Sequence, residues 1–287
     1  MFKIAIDGPA GAGKSTISKI VAEKLNIEYL DTGAMYRAVT LKAMRLNVDM
    51  EQEDSYSFLN DTSIDIKNGK IYLDGEDISE AIRSVDVTNN VSTPSKIGFV
   101  RSYLVDLQRK LSESINVVMD GRDIGTVVLP NAELKVYLDA SVECRALRRK
   151  AERDLAGIVL SLEETIDEIK TRDHKDSTRK INPLRKADDA VLVDSSDMSI
   201  DEVVNTIIKL AYERGFKKMS EKFTNGQNVQ GYIIHVTPSY LKIELGENAL
   251  GIIYANDILD VVEGHSLHEY YNVGEQFEAQ VKAPFIC

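Results

Sequence analysis

Cysteine, histidine and long apolar runs are scarce in this sequence, and each scarcity excludes a class of protein. Cys144 and Cys287 are the only cysteines among 287 residues, too few for a disulfide framework or a cysteine-based zinc site. The four histidines show no ligand spacing, so we interpret them as structural or surface residues. No apolar run approaches the roughly 18 residues needed to cross a bilayer. The first residues turn acidic too soon for a signal peptide. We therefore expect a soluble protein of the reducing cytoplasm.

Basic residues are outnumbered and unevenly distributed. The 35 basic and 46 acidic residues give a net charge of −11, which argues against general attraction to nucleic acid or anionic membranes. Two basic islands interrupt this acidic background. Residues 145–153 hold five basic residues and one acidic residue, and residues 172–186 hold six and two. Such islands in an acidic protein indicate a local anion site.

The strongest motif lies near the start of the chain. The apolar run from Phe2 to Ile6 predicts a buried strand, which leads into the pattern G-x-x-x-x-G-K-S at residues 8–15, and apolar residues at helical spacing follow. This order of strand, glycine loop and helix is typical of a phosphate-binding loop, in which backbone N–H groups surround phosphate oxygens. Lys14 would reach the terminal phosphates and the Ser15 hydroxyl would hold Mg²⁺. The alternative is a plain glycine turn, but the matching flanks favour nucleotide binding.

Two further segments place arginine beside a turn. Residues 28–37 have the pattern of a strand end, a turn and a helix start, and they end on Arg37. Residues 116–119 predict a short strand that delivers D-G-R-D at residues 120–123 to the sheet edge where ligands bind in open α/β proteins. Arginine binds phosphate bidentately through its planar guanidinium group. The alternatives are a solvated surface arginine for the first segment and a salt-bridged turn for the second.

The basic islands predict two helices with charged faces. The first carries three arginines spaced four apart, and therefore on one face: Arg145, Arg149 and Arg153. Like charges at that spacing destabilise a helix by roughly 0.2–0.5 kcal/mol per pair, so a bound polyphosphate explains this stripe better than a solvated face. The second helix begins at the capping box of Ser161 and Glu164. It presents two cations and one acceptor: Arg172, Asp176 and Arg179. We favour a ligand role for them over a surface ion-pair network.

Together these segments resemble bacterial cytidylate (CMP) kinase in order and spacing. The resemblance rests on residues 8–15, 30–37, 120–128 and 172–179, and it spans residues 1–217. It implies an α/β fold with a P-loop NTPase-type parallel sheet and flanking helices. It also implies a monophosphate-binding insert at about 37–105, whose predicted hairpin turns are Asn68-Gly69 and Asp74-Gly75, and a lid at about 145–180. The implied activity is transfer of the ATP γ-phosphoryl group to CMP and dCMP.

The resemblance also implies a role for each matching residue. The donor ATP would lie on Gly8, Pro9, Ala10, Gly11, Ala12, Gly13, Lys14, Ser15 and Thr16, with Mg²⁺ on Ser15. The cytosine edge would be read by Ser92, Arg101 and Asp123, and the ribose by Asp176. The acceptor phosphate would be gathered by Arg37, Arg122 and Arg179, with Arg172 near the sugar and phosphate. Thr32, Tyr36 and Asp120 complete the substrate-binding set. The catalytic set is Lys14, Arg122, Asp123 and Arg149.

The chain changes character after residue 217. Its length favours about two domains, and short β-rich runs bounded by turns follow from residue 229. On the segments at residues 226–231, 251–253 and 273–277, residues 223–287 resemble a partial OB-type RNA-binding module of the ribosomal protein S-one kind, without the final strand expected beyond Ala283. Tyr232, Tyr240 and Tyr254 are suited to stacking on bases. From Met219 onward, however, the sequence has three basic and nine acidic residues. This composition does not suit the basic groove that RNA binding favours. We expect a structural remnant or a weak module, in a monomeric protein.

Two alternative functions stay open on the sequence. The phosphate loop does not specify its acceptor, so a kinase for another small molecule is one alternative. An RNA-associated binding protein, with the nucleotide site as a regulatory switch, is the other. A guanine-specific GTPase is disfavoured, because the sequence has no Asn-Lys-x-Asp segment.

Overall fold

The computed structural model describes residues 1–67, 69–155, 157, 159–217, 228–237, 240–245, 250–254, 267 and 270–280. The strands are β1 (Lys3–Asp7), β2 (Glu28–Asp31), β3 (Ile64–Lys67), β4 (Lys70–Leu73), β5 (Glu76–Asp77), β6 (Val117–Gly121), β7 (Leu134–Asp139), β8 (Val191–Asp194), β9 (Asn228–Val236), β10 (Tyr240–Glu244), β11 (Leu250–Tyr254) and β12 (Gln276–Gln280). The α-helices are α1 (Lys14–Leu25), α2 (Thr32–Arg45), α3 (Val85–Asn90), α4 (Gly98–Leu111), α5 (Val142–Leu155), α6 (Leu162–Thr178) and α7 (Ile200–Glu213). Two compact units divide the chain, Met1–Phe216 and Lys217–Cys287.

A parallel sheet of five strands, in the order β2-β6-β1-β7-β8, forms the centre of the first unit. Successive side chains of a strand point to opposite faces. Ile4 and Ile6 of β1 therefore pack in one core with α1 and α7, and Ala5 packs in a second core with α4. The sheet is covered by helices on both faces, which confirms the predicted α/β fold.

The last strand of this sheet corrects one expectation. The run of residues 189–194 suggests a central strand, but β8 covers only Val191–Asp194 and lies at the edge of the sheet, paired with β7. Leu192 is 56% exposed, and only Val193 of the strand is buried. A short apolar run does not distinguish an edge strand from a central one, because both place one face on the core.

The insert between α2 and α4 has its own sheet and core. Strands β3, β4 and β5 form an antiparallel sheet, and residues such as Tyr56 and Ile71 pack with α2 and α4. Asp74 and Gly75 both have positive φ, 51° and 86°, as the predicted two-residue hairpin turn requires. In the other predicted turn Gly69 also has positive φ, and Asn68 lies outside the described residues.

Local capping signals set the limits of α6 and α7. Ser161 accepts a hydrogen bond from the backbone N–H of Glu164, and the Glu164 carboxylate accepts one from the Ser161 N–H. Ser199 and Glu202 form the same capping box at the start of α7. The S-x-x-E pattern of the sequence predicts a capping box at residues 161–164 and another at residues 199–202, and both are confirmed. Gly215, with φ of 90°, follows the end of α7, as expected for a helix stop.

The second unit contains an antiparallel sheet in the order β11-β10-β9-β12. Its small core includes Ile233, Leu241 and Ile243. This confirms a small all-β segment, while its OB-type identity and its RNA binding stay predictions. Much of the segment on which they depend, including Lys222, Lys282 and residues 255–266, lies outside the described residues. No helix in the described ranges is both long enough and apolar enough to span a membrane.

We predict that Ile207→Ala lowers the free energy of unfolding by about 2–5 kcal/mol, because it removes apolar atoms and leaves a cavity in a packed core. Ile207 on α7 is 0% exposed, whereas Ile200 at the start of the same helix is 54% exposed. Ile200→Ala is the matched control, with an expected change under about 0.5 kcal/mol. Urea unfolding followed by far-ultraviolet circular dichroism measures both variants. Equal losses in the two would contradict the placement of α7 on the core.

Candidate active site

Three parallel strands end at one edge of the central sheet and bring the predicted site segments together. Asp7 at the end of β1 pairs in register with Gly121 of β6, and Asp31 at the end of β2 pairs with Asp120. The glycine loop, the start of α2 and the D-G-R-D segment therefore border one cleft of about 410 Å³. This is the edge at which open α/β sheets bind ligands.

The glycine loop is held by close packing and by its lysine. A Cβ at Gly8 would overlap the carbonyl oxygen of Leu138 in β7. Only glycine, which has no Cβ, therefore allows the loop to pass this close to the sheet. Gly13 has φ of 82° and caps α1, which begins at Lys14. Lys14 donates from Nζ to the Pro9 carbonyl oxygen at 2.7 Å. The loop residues that line the cleft are Ala10, Gly11, Gly13, Lys14, Ser15 and Thr16.

Three residues assigned to the donor by sequence lie behind this surface. Gly8 packs on β7, Pro9 presents its carbonyl oxygen to Lys14, and Ala12 belongs to the core beside α1. They do not line the cleft, so their contribution is to the shape of the loop. A motif gives the backbone path but does not say which of its residues face the ligand.

Asp120 connects the glycine loop to the neighbouring strands. Its carboxylate accepts hydrogen bonds from Ser15 Oγ at 2.9 Å and from Tyr29 OH at 2.8 Å. Its backbone oxygen accepts one from Thr32 Oγ1 at 2.7 Å. Burial, reinforced by the nearby charge of Asp31, raises the pKa of Asp120 to about 6. A cation near Ser15 would relieve this cost, so the surroundings of Asp120 favour a bound cation.

The far side of the cleft carries a buried ion pair. Arg101 of α4 is 1% exposed and donates from Nη2 to Asp123 Oδ2 at 2.5 Å and from Nη1 to the Ser95 carbonyl oxygen at 2.9 Å. Its guanidinium lies over the Tyr36 ring, 5.3 Å from the centroid. Arg179 donates to the other Asp123 oxygen at 3.4 Å. Arg101 Nε, although buried, has no hydrogen-bond partner among the described residues.

A second ion pair joins the D-G-R-D segment to α6. Arg122 donates from Nε to Asp176 Oδ2 at 2.8 Å. Burial acts to raise the pKa of Asp176, but the charge and hydrogen bond of Arg122, together with the charges of Arg172 and Arg179, outweigh burial and hold that pKa below its usual value. The carboxylate keeps Arg122 at the cleft wall, and Nη1 of the same guanidinium donates to the Gly121 carbonyl oxygen at 3.3 Å.

Cations outnumber anions along the cleft wall. The cationic side chains are Lys14, Arg37, Arg83, Arg101, Arg122, Arg149, Arg172 and Arg179, and the acidic ones are Asp31, Asp120, Asp123, Glu152, Glu168 and Asp176. Burial, followed by the charge of Arg122, lowers the pKa of Arg172 to about 10, and the same two causes lower that of Lys14. Burial also lowers the pKa of Arg37. An anion of several charges would relieve this mutual repulsion.

The arginine stripe of α5 does not face the cleft as a whole, which corrects the sequence interpretation. Arg149 lines the cleft. Arg145 is buried and bonded to the backbone of Ala10 and to Asp173. Arg153 pairs with Glu168 of α6 at 2.7 Å. Helical spacing shows that the three share a face, but the packing of α6 against that face decides what each one contacts.

Sequence reasoning missed several residues of the site. Arg83 lines the cleft from the insert, and no motif marks it. Tyr29 and Asp31 contribute to the surroundings of Asp120, and both lie within the strand-turn-helix segment that did attract attention. Asp7 accepts hydrogen bonds from the N–H groups of Ile124 and Gly125 at 2.8 and 2.7 Å, and burial raises its pKa to about 6. An acidic residue at the end of a buried strand was the available signal for Asp7.

The cleft contains every residue assigned to the acceptor from the sequence. They are Thr32, Tyr36, Arg37, Ser92, Arg101, Asp120, Arg122, Asp123, Arg172, Asp176 and Arg179. Their individual roles stay predictions. Among the described residues, no group of three or more His, Cys, Asp or Glu side chains is arranged to hold a metal ion without other ligands.

Comparison with known proteins gives a consistent family. The family model for cytidylate kinase matches residues 4–213. A cytidylate kinase of Acholeplasma laidlawii is 51% identical over 209 residues, which are 73% of this chain and 94% of that protein. The cytidylate kinase of Pediococcus pentosaceus is 51% identical over 222 residues, 76% of this chain and 98% of that protein. That of Desulforamulus reducens is 54% identical over 209 residues, 71% and 94% of the two chains.

Solved structures show a more distant likeness. Shikimate kinase from Bacteroides thetaiotaomicron is 16% identical, covers 74% of this chain and 98% of its own, and has a TM-score of 0.39. This likeness is too distant to inform the choice of acceptor. The family match and the relatives at about half identity, by contrast, extend over nearly the whole first unit. The chain therefore belongs to the cytidylate kinase family.

Proposed function

We propose that this chain transfers the γ-phosphoryl group of ATP to CMP, giving ADP and CDP, in the cleft between the glycine loop and the arginine-lined wall. The observation that carries the proposal is the gathering of eight cationic side chains and six acidic ones along one cleft, where burial and then the charge of Arg122 lower the pKa of Lys14 and of Arg172. Two phosphate-bearing ligands, a donor and an acceptor, supply the negative charge that this arrangement requires. We include dCMP as a second acceptor, because the phosphate and base contacts need no 2′-hydroxyl.

The donor side holds the phosphates of ATP. Backbone N–H groups of the loop and of the α1 N-terminus point at phosphate oxygens, and Lys14 neutralises the terminal phosphates. Arg149 reaches the same cleft from α5. Phosphoryl transfer leaves the protein mainly positioning and charge stabilisation, which are the contributions that these groups supply.

Ser15 and Asp120 are suited to a divalent cation. The Ser15 hydroxyl lies 2.9 Å from the Asp120 carboxylate, and Asp31 adds a second carboxylate nearby. Oxygen donors of this kind, few in number, suit Mg²⁺, which usually retains waters and shares substrate phosphates. When bound there, Mg²⁺ would neutralise charge on the donor phosphates. The Ser15 hydroxyl would hold the ion, and Asp120 orients that hydroxyl by accepting its hydrogen bond.

The acceptor phosphate fits the arginines on the opposite side. Arg122 is fixed by Asp176 with donors to spare, and Arg37 and Arg172 make no ion pair within the described residues. These guanidinium groups suit a phosphate because each can donate two parallel hydrogen bonds. They would bring an acceptor oxygen into line with the γ-phosphorus. Water is the competing acceptor, so closure of the cleft protects the reaction.

Asp123 and Arg101 suit a cytosine rather than a uracil. A carboxylate accepts a hydrogen bond from the N4 amino group of cytosine, as acidic side chains do in nucleic-acid recognition. Uracil presents a carbonyl oxygen at that position, which a carboxylate repels. Arg101 Nε is a buried donor without a partner among the described residues, suited to an acceptor atom of the base. Ser92 lines the same part of the cleft.

The function is tested with separate acceptors and the natural preference is then altered. An assay for ADP formation compares CMP, dCMP, UMP, AMP and shikimate, and we expect CMP to be the best substrate. Asp123→Asn should lower kcat/KM for CMP by at least about 10-fold and narrow its advantage over UMP, because an amide can donate to the uracil carbonyl. Asp188→Asn, at an exposed position, is the control. A faster reaction with another acceptor would contradict the proposal.

Lys14→Ala and Arg122→Ala should each lower turnover by at least about 10²-fold, because each removes a positive charge that stabilises the phosphoryl group during transfer. The matched controls are Lys19→Ala on the exposed face of α1 and Arg185→Ala, also exposed. Steady-state rates at saturating CMP and ATP measure the effect, and circular dichroism checks that the variants fold. Near-normal turnover in either site variant would refute its assignment to the transfer step.

Ser15→Ala should raise the Mg²⁺ concentration for half-maximal activity by about 10-fold or more, since loss of an outer-shell partner already costs about 10–100-fold in metal affinity and Ser15 would hold the ion itself. Ser18→Ala is the matched control on the same helix, because the Ser18 hydroxyl is buried and has no hydrogen-bond partner in the described parts of the chain. Rates are measured against MgCl₂ at constant ATP. An unchanged Mg²⁺ dependence in Ser15→Ala would remove Ser15 from the metal site.

A further inference from the structure

One residue of the glycine loop, Ala10, is hydrogen-bonded at both its N–H and its carbonyl oxygen by side chains from two different helices. Arg145 of α5 donates from Nη1 to the Ala10 carbonyl oxygen at 2.8 Å. Asp173 of α6 accepts, through Oδ1, the hydrogen bond of the Ala10 N–H at 3.0 Å. The two side chains are themselves paired, Arg145 Nη1 to Asp173 Oδ2 at 2.6 Å. Ala10 is thus held by a single ion pair that spans both polar groups of the residue.

The ion pair is anchored and tightly packed. Arg145 is 4% exposed and donates from Nε to the Ala140 carbonyl oxygen at 2.9 Å, just before α5 begins. At the next loop residue, a Cβ on Gly11 would lie 3.3 Å from Arg145 Cβ and 3.7 Å from Ile169 Cδ1 of α6. The loop therefore fits into a notch between the two helices, where a larger residue would press on Arg145.

We infer that Arg145 and Asp173 are positioning residues for the ATP site, which fix the glycine loop and set its distance from the arginines of α5 and α6. Arg149, one helical turn after Arg145, and Arg172, next to Asp173, both line the cleft. The ion pair thus ties the donor loop to the helices that carry these two cations. The inference rests on the proposed function, because it concerns the donor of that reaction.

A role limited to joining α5 and α6 does not account for this pair. Arg153 and Glu168 already connect the two helices, at 2.7 Å, without touching the glycine loop. Arg145 and Asp173 instead direct three of their hydrogen bonds to loop and strand-end backbone, at Ala10 N, Ala10 O and Ala140 O. Backbone groups of the phosphate loop need fixed directions, because their N–H groups must point at the donor phosphates.

Arg145→Lys and Asp173→Asn test the inference. Lysine keeps the charge but lacks the planar fork that serves Ala10, Ala140 and Asp173 together. Asparagine keeps an oxygen for the Ala10 N–H but loses the charge. We expect each to weaken ADP binding and to raise KM for ATP on the order of 10-fold, with KM for CMP changed by less than about 2-fold. Because the two residues act as one unit, we expect their effects not to add. KM for ATP in the double variant should lie within about 2-fold of KM in the more strongly affected single variant.

Arg153→Lys is the matched control, since it leaves a cation opposite Glu168 and lies outside the cleft lining. We expect its ATP and CMP parameters to equal those of the wild type. Calorimetry of the full chain measures ADP and CMP binding separately, and steady-state kinetics gives both KM values. Thermal unfolding of each variant reports whether it folds. If Arg145→Lys does not fold, Asp173→Asn tests the inference by itself.

The outcomes separate this inference from the proposed function. Wild-type protein that fails to bind ADP or to phosphorylate CMP overturns the proposed function, and with it the role assigned here. Active wild-type protein whose Arg145→Lys and Asp173→Asn variants lose ATP and CMP affinity equally overturns the inference alone, since that pattern reports a structural role. Unchanged ATP parameters in the folded variants do the same. A selective rise in KM for ATP supports the inference.

Discussion

Parallel pairing of β1 with β6 is the constraint on which the cleft depends. It places Asp7, where the glycine loop begins, opposite Gly121 of the D-G-R-D segment. A register slip of one residue would turn each side chain to the other face of the sheet and separate donor from acceptor segments. The Asp7 side chain reinforces this register, because its carboxylate accepts hydrogen bonds from the N–H groups of Ile124 and Gly125, just beyond Asp123. The two halves of the cleft are therefore aligned before any arginine reaches a ligand.

Electrostatics in the cleft favour ligand binding over folding stability. Taking a charge out of water costs several kcal/mol, whereas exposed ion pairs contribute only about 0–1 kcal/mol. Lys14 is buried and Arg172 is half-buried, and burial together with the charge of Arg122 lowers the pKa of both, although the whole chain carries −11. The net charge of the protein is thus a poor guide to the site. What matters is the local excess of cations that the sheet edge gathers.

Local patterns predicted individual elements, and the family resemblance predicted which residues gather in the cleft. What the sequence did not predict is which distant partner an individual side chain contacts. The glycine loop, the capping boxes and the Asp74-Gly75 turn are local patterns, so the sequence is enough to locate them. Arg145 was placed on the correct helix face but assigned to a ligand, because its partner Ala10 lies 135 residues away. The edge position of β8 and the tie from Asp7 have the same cause. Spacing identifies which side chains share a face, whereas the fold decides what meets that face.

The two sides of the cleft also differ in how they are built. On the proposed function, the donor phosphates would face backbone groups and one lysine, a set that any nucleoside triphosphate satisfies. The acceptor side depends on side chains, above all the buried pair of Arg101 and Asp123. A buried pair of this kind is often no more stabilising than apolar residues of similar size. A buried donor such as Arg101 Nε, which has no hydrogen-bond partner among the residues that the structure describes, costs about 1–3 kcal/mol. Stability therefore does not explain why this pair lies there. On the proposed function, a base edge that offers both a donor and an acceptor would satisfy Asp123 and Arg101 together, which would place discrimination between nucleotides on the acceptor side of the cleft.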